Sequence, residues 1–218
     1  MDIYKTEMIY GRQPVFEALR GFREVYTIYA IENALKWLKE KAIYNNINIV
    51  ADIKLLNKEN LYNLIKHPDH QGIVARVEKY RYTSAKIILD RKPEIILIAD
   101  SITDRHNLGA MIRSANIFGV GAVIIPRNNS ADINSVVVHS SAGATEHTPI
   151  VMVESINHFI RLIKEREYKI LSAVKPANDA TSILEFKSFS KVAIIMGSEG
   201  KGVSNITQSI CDDNIYIP

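Results

Sequence analysis

Among 218 residues there is one cysteine, Cys211, so no intramolecular disulfide can form. That is the usage of a reducing compartment. Residues 1–14 lack the basic stretch and apolar core of a secretory signal. No uncharged apolar run reaches membrane-spanning length. The expectation is a cytoplasmic protein without a membrane partner. His106, His139 and His147 come with no carboxylate or thiolate cluster, so no metal is expected. Ser140 and Ser141 stand in no convincing hydrolase pattern with His and Asp, so a hydrolase is not expected. Strong charge is also missing. The net charge is +3, and it resides in residues 1–84, with 13 basic against 10 acidic side chains. A modest positive face for nucleic acid and an ordinary solvated surface both fit. There is no internal repeat and no low-complexity segment.

What is present is a balanced composition, 47% hydrophobic and 23% charged, of a globular protein with one large domain or two small ones. The chain turns on a late stretch. Val192 to Met196 reads as a buried parallel strand ending in Gly197-Ser198-Glu199-Gly200-Lys201-Gly202. Three glycines in six residues let a ligand approach the backbone. Open α/β sheets take ligands at such carboxyl ends. The pattern is not the dinucleotide fingerprint. It is not a phosphate-binding P-loop either, because Gly202 stands where Ser or Thr must follow the lysine. A helix over 203–211 and a short apolar segment, Ile215 to Ile217, are expected to follow.

Upstream, Pro14 suits a first helical turn, and Gly21 ends that helix. Strands are expected at 25–30, 47–50 and 72–77, and helices at 33–42 and 52–66. Together they make a front α/β unit, residues 1–78, large enough to fold alone. Residues 79–93 read as a linker with a short helix. Lys79, Tyr80, Arg81 and Tyr82 within it suit either RNA contact or a plain connection. A second domain, 94–218, opens with a strand at 94–99 and a polar loop. A helix at 107–119 follows, with Leu108, Met111, Ala115 and Phe118 on one face. Further strands are expected at 121–125, 150–153 and 168–174, a helix at 156–164, and a polar connection at 175–190. Alternating strands and helices imply a parallel α/β layer.

Three segments carry a family resemblance. Asp104-Arg105-His106-Asn107-Leu108-Gly109-Ala110-Met111-Ile112-Arg113-Ser114-Ala115 resembles the first motif of the SpoU/TrmH RNA 2′-O-ribose methyltransferases. Gly197 through Ser204 resembles the second, and Ser141-Ala142-Gly143-Ala144 matches a further segment. In the front unit, residues 11–19 and His70-Gln71-Gly72-Ile73-Val74-Ala75 resemble the RNA-binding domain of the branch that methylates a guanosine of 23S rRNA. The tRNA-specific branch generally lacks this unit. The resemblance implies a SPOUT-like domain with a trefoil knot, a ribosomal RNA substrate, S-adenosylmethionine as cofactor, and a homodimer. Family members continue beyond the equivalent of Pro218 into a Ser-Leu-Asn segment and a final helix. The 218-residue chain is therefore expected to be a fragment that stops before the knot tail and binds cofactor weakly.

By the same resemblance, Asn107, Arg113 and Glu199 form the catalytic group, and Met196, Gly197 and Ile217 receive the cofactor. Methyl transfer to a ribose hydroxyl is an in-line displacement, so positioning supplies much of the rate. A guanidinium stays protonated, which favours Arg113 as a clamp on phosphate and developing alkoxide rather than as a base. Asn107 is expected to orient Arg113 or the ribose, or only to cap its helix. Glu199 is expected to fix the cofactor loop or to hold Asn107 and Arg113, or to be a surface turn residue. Packing alone explains Met196 and Ile217 equally well. His139 is a weaker candidate for RNA contact, and Cys211 reads as packed rather than reactive. The alternatives are a non-catalytic RNA-binding or ribosome-assembly protein on the same fold, and a tRNA ribose methyltransferase.

Overall fold

The computed structural model describes residues 5–176, 180–186 and 189–218. They form two compact units. The first holds residues up to Arg81 together with 109–113 and 132–147; the second holds 82–108, 114–131 and 148–218.

The first unit is built on a four-stranded sheet. β1 (Thr6–Tyr10), β2 (Val25–Ala30), β3 (Asp52–Leu55) and β4 (Ile73–Glu78) lie in the order β1-β4-β2-β3. β4 is antiparallel to both neighbours, and β3 is parallel to β2. Helices α1 (Arg12–Arg20), α2 (Glu32–Tyr44) and α3 (Lys58–Ile65) connect them. Gly11 precedes α1 at φ 99°, where a Cβ would stand 2.8 Å from the His139 ring. Glycine is required there by both backbone and space. Ile9, Val15, Phe16, Ile28, Leu38, Ile73 and Val77 are buried.

Two expectations fail in this unit. Residues 47–50 form no strand, and 52–66 is not one helix but β3 followed by α3. Strand pairing decides the first half, since Asp52–Leu55 runs in register beside Thr27–Ala30. The Asn57 side chain decides the second. It accepts the backbone N–H of Asn60 at 2.8 Å and starts the helix there.

Residues 132–147 contribute a short helix (Ser135–Ser140), capped by the Asn134 side chain. Arg23, with no exposed side-chain surface, donates its Nε to Glu146 Oε2 at 3.0 Å, a second nitrogen to Glu146 Oε1, and a third to Glu7. Tyr80 is buried, its ring 5.4 Å from the Arg23 guanidinium and its hydroxyl donated to the Thr145 carbonyl. Arg81 pairs with Glu78. Tyr80 is thus packed into this unit rather than offered to RNA. His139 is likewise packed, its ring stacked on Tyr10 at 4.6 Å.

The second unit is a seven-stranded sheet, parallel throughout. Its strands are β5 (Ile95–Asp100), β6 (Ala122–Pro126), β7 (Ile150–Val153), β8 (Lys169–Ala173), β9 (Ala180–Ser182), β10 (Val192–Gly197) and β11 (Asp213–Tyr216). The order is β7-β6-β5-β10-β8-β11-β9. Helices α4 (Ala85–Arg91), α5 (Arg105–Ile117), α6 (the Ser135–Ser140 helix above), α7 (Ile156–Lys164) and α8 (Asn205–Gln208) follow in chain order. Ile156, Phe159, Ile160 and Ile163 of α7 bury against Ile96, Ile98, Ile124 and Ile195 of the strands. Each such side chain contributes about 1.5–3 kcal/mol of apolar burial.

Within 175–190 the chain carries β9, which pairs with β11; residues 177–179 and 187–188 of that expected connection lie outside the described residues. α5 starts at Arg105, and its buried positions are Leu108, Gly109, Ile112 and Ala115, with Met111 half-buried. Phe118 follows the last helical residue, out of phase, and is 76% exposed. α8 is shorter than the expected 203–211. Ser204 caps its start, and Asp212 accepts the Ile170 backbone N–H at 2.7 Å, drawing the chain into β11.

Candidate active site

β5 and β10 lie side by side near the middle of the second sheet, with Gly197 in register with Asp100. From β5 the chain proceeds to β6 and β7 on one side, while β8 lies beyond β10 on the other. The strand order reverses here, which opens a crevice at the carboxyl ends.

The loop after β10 closes on itself. Gly202 N–H donates to the Ser198 carbonyl at 2.8 Å. A Cβ on Gly197 would fall 2.0–2.2 Å from backbone atoms of Gly202 and Val203, so only glycine allows this approach. Asp100, buried at the end of β5, accepts the Ser204 backbone N–H at 3.2 Å on one oxygen. Its other oxygen accepts the Ser101 hydroxyl at 3.0 Å. The loop is thus anchored at its root, with Glu199 exposed at its tip.

On the facing side, Asp104 rather than Asn107 caps α5, accepting the Asn107 backbone N–H at 2.8 Å. The Asn107 side chain is therefore not used as a cap. Its amide donates to Glu199 Oε2 at 3.4 Å, a long contact that joins the two family motifs. Around it lies a cleft of about 540 Å³ walled by Ser101, Ile102, Asp104, Asn129 and residues 198–201. Ser101 and Asn129 both sit in the left-handed region, at φ 60° and 58°. Held strain of this kind gathers at functional sites.

The other sequence candidates lie elsewhere. Arg113 is exposed on α5, within the run 109–113 that groups with the first unit. Met196, 37% exposed, and Ile217, 76% exposed, are uncovered apolar side chains at the carboxyl ends of β10 and β11 and do not wall the cleft. Cys211 is half-buried and donates to the Thr207 carbonyl at 3.2 Å. Burial, against the opposing pull of Lys164, pushes its thiol up to about 11, which makes it a packing residue. Among the described residues no group of three His, Cys, Asp or Glu is placed to hold a metal.

Asp100, Asp104 and Asn129 were not singled out from the sequence. Asp104 had a readable signal, since an aspartate three residues before Asn107, ahead of an apolar run, is a helix start. Asp100 and Asn129 had none, because their partners are set by the sheet.

The residues present fit S-adenosylmethionine. A Cβ on Gly200 or Gly202 would meet nothing within 4 Å, which leaves open backbone. Met196 and Ile217 offer uncovered apolar surface beside that sheet edge. Gly197→Ala is expected to cut any activity of this loop about 10²-fold, because an ångström-scale displacement of positioned groups costs that much. Gly200→Ala, where a Cβ would meet nothing within 4 Å, is expected to leave the melting temperature unchanged. Turnover of the Gly197→Ala variant and thermal melts of both variants check the contrast.

Comparison with known proteins bears on the family and the fold. Residues 94–218 match the SpoU rRNA Methylase family, and residues 8–83 match the RNA 2′-O ribose methyltransferase substrate-binding family. The 23S rRNA (guanosine-2'-O-)-methyltransferase RlmB of Escherichia coli K12 is 32% identical over 225 residues, covering 98% of this chain and 89% of that protein. An uncharacterized tRNA/rRNA methyltransferase of Synechocystis is 31% identical over 221 residues; the chain spans 56% of its length. Among solved structures, an AdoMet-bound rRNA methyltransferase from Sinorhizobium meliloti superposes with a TM-score of 0.77 at 19% identity, covering 100% of this chain and 80% of that one. The methyltransferase AviRb of Streptomyces viridochromogenes, in complex with AdoMet, gives 0.75 at 21% identity over 99% and 81%. Likeness at these identities speaks to the fold. From the match over residues 94–218 and the 32% identity to its Escherichia coli relative, the chain belongs to the SpoU rRNA methylase family.

Proposed function

We propose that this protein transfers a methyl group from S-adenosylmethionine to the ribose 2′-hydroxyl of a guanosine in 23S ribosomal RNA. The observation that carries the reading is the contact between Asn107 and Glu199 at the switch point of the sheet. It joins two motifs 92 residues apart beside a cleft of about 540 Å³. The substrate reading is supported by the match of residues 8–83 to a substrate-binding family and by the relatives named for 23S rRNA.

When bound, S-adenosylmethionine supplies a sulfonium methyl as the electrophile. Met196, Gly197 and Ile217 would hold it. Asn107 and Glu199 position the loop and the ribose, and Arg113 clamps the target phosphate and balances the alkoxide charge as the hydroxyl passes its proton to solvent. Residues 1–78 deliver the RNA, 79–93 link, and 94–218 carry the chemistry. A cytoplasmic homodimer is part of the same proposal. No helix among the described residues is long and apolar enough to cross a membrane.

The test is transfer of labelled methyl from S-adenosylmethionine to an unmodified 23S rRNA transcript. The expected result is label on one guanosine ribose, seen as a single linkage newly resistant to alkali. Label on a base, preference for tRNA, or no label from a chain extended by the family's Ser-Leu-Asn segment and final helix would overturn the assignment.

A further inference from the structure

The front unit holds a cleft of about 550 Å³ that the chemistry above does not use. Its walls are formed by Arg12, Ile31, Lys58, Pro68, His70 and the Gln71–Gly72 turn, with no carboxylate among them. Two of these residues, Arg12 and Lys58, have basic side chains. The Gln71 side chain accepts the Arg12 backbone N–H at 2.9 Å. The Arg12 guanidinium lies 5.6 Å from the centre of the Trp37 ring. Lys58 opens α3 directly after its Asn57 cap.

His70 ties the walls together. Its Nδ1 accepts the Gly72 backbone N–H at 3.0 Å. Burial, then the charge of Lys58, holds its pKa below the ordinary histidine range, so it serves as a neutral strut and the cations are Arg12 and Lys58. Gln71 is held at φ 54°, a left-handed conformation that a non-glycine residue keeps only when its surroundings impose it.

One donor in this cleft is unanswered. Arg12 Nε is shielded from solvent and has no hydrogen-bond partner. Buried donors are almost always paired, and an exception needs an explanation, of which an anion that binds there is one. A planar guanidinium with a free N–H, a nearby ammonium and no competing carboxylate is the chemistry that receives a phosphate oxygen.

We propose that this cleft is a docking site for a backbone phosphate of the RNA substrate, received by Arg12 and Lys58 in the frame that His70 and Gln71 hold. The proposal rests on the ribosomal RNA reading and adds the residues that anchor the RNA. Such a contact fixes the register of the RNA without reading its sequence.

The experiment measures binding of the full chain to the 23S rRNA transcript across a salt series. Lys58→Ala is expected to weaken binding about tenfold and to reduce the slope of log K against log salt by about 1. Arg12→Gln is expected to do the same, and Lys58→Ala, at an exposed helix start, keeps the test valid if Arg12→Gln does not fold. Lys39→Ala, an exposed charge on α2 outside the cleft, is expected to change binding less than twofold. Unchanged affinity and slope in Lys58→Ala, with wild-type binding intact, would overturn this site and leave the methyltransferase reading standing. Loss of binding equal to that of Lys39→Ala would also overturn it. Displacement of the transcript by micromolar ATP at constant ionic strength would assign the cleft to a free nucleotide instead. A wild-type chain that ignores the transcript would overturn both readings.

Discussion

Alanine in place of Arg113 is expected to lower methyl transfer about 10²–10³-fold while leaving the melting temperature unchanged. The magnitude is that of removing one donor aimed at developing negative charge. The unchanged stability follows from exposure, since Arg113 lies on the solvent side of α5 and surface substitutions stay within about 0.5 kcal/mol. Arg113→Lys separates two roles. A guanidinium cannot give up its proton near neutral pH, whereas a lysine with a pKa near 10.4 can do so at alkaline pH. If position 113 acted as a base, the lysine variant would recover activity as pH rises from 8 to 10. A bidentate clamp predicts no such recovery, because an ammonium does not reproduce the fork. Turnover of both variants on the 23S rRNA transcript, measured across that range, decides between them.

The strands and helices legible in the sequence were those with a local cause. Val25–Ala30, Ile150–Val153 and Ile156–Lys164 follow the expected spans because apolar run, period and cap all agree. The glycine loop and the helix bearing Asn107 were legible because two motifs required them. β1 and β9 had no sequence expectation, and β3 was hidden inside a helical pattern. Each is a strand because of a partner distant in the chain: β4, β11 and β2. Asn107 illustrates the same limit at one residue. Sequence allowed it to be a cap or a site residue, and Asp104 removes the first option by taking the cap. The placement of residues 132–147 with the first unit was not legible, since it depends on Arg23 meeting Glu146 across 123 positions.

That meeting makes Arg23 the residue whose loss is expected to cost most in stability. Its side chain is fully buried, as is that of Glu146, while Glu7 is 20% exposed. One cation therefore answers two carboxylates. Burial pushes the Glu7 carboxyl above its usual range, and Arg23 pulls against that push without overcoming it. Burial also disfavours the Arg23 charge, but hydrogen bonds and charge from Glu146, then Glu7, outweigh it and raise its pKa. Arg23→Ala strips the cation and leaves two carboxylates facing each other away from water. Breaking a buried pair in this way costs about 3–5 kcal/mol, which for a chain of this size is a fall of roughly 10 °C in melting temperature. The pH dependence has a definite sign. A carboxyl whose folded pKa is raised favours folding below its unfolded value of 4.5 and loses that contribution as pH rises through the folded pKa. Without Arg23 the push on the Glu7 carboxyl grows, so the deficit is greatest near pH 7 and shrinks toward pH 4.5 as Glu7 takes up a proton. The double variant Arg23→Met with Glu146→Leu removes one of the two unanswered carboxylates but leaves Glu7 without its cation, and is expected to recover part of the loss. Denaturation of wild type, Arg23→Ala and the double variant at pH 7 and pH 4.5 checks the account. A deficit equal at both pH values would mean that lost packing around Tyr80, and not uncompensated charge, is what the arginine prevents.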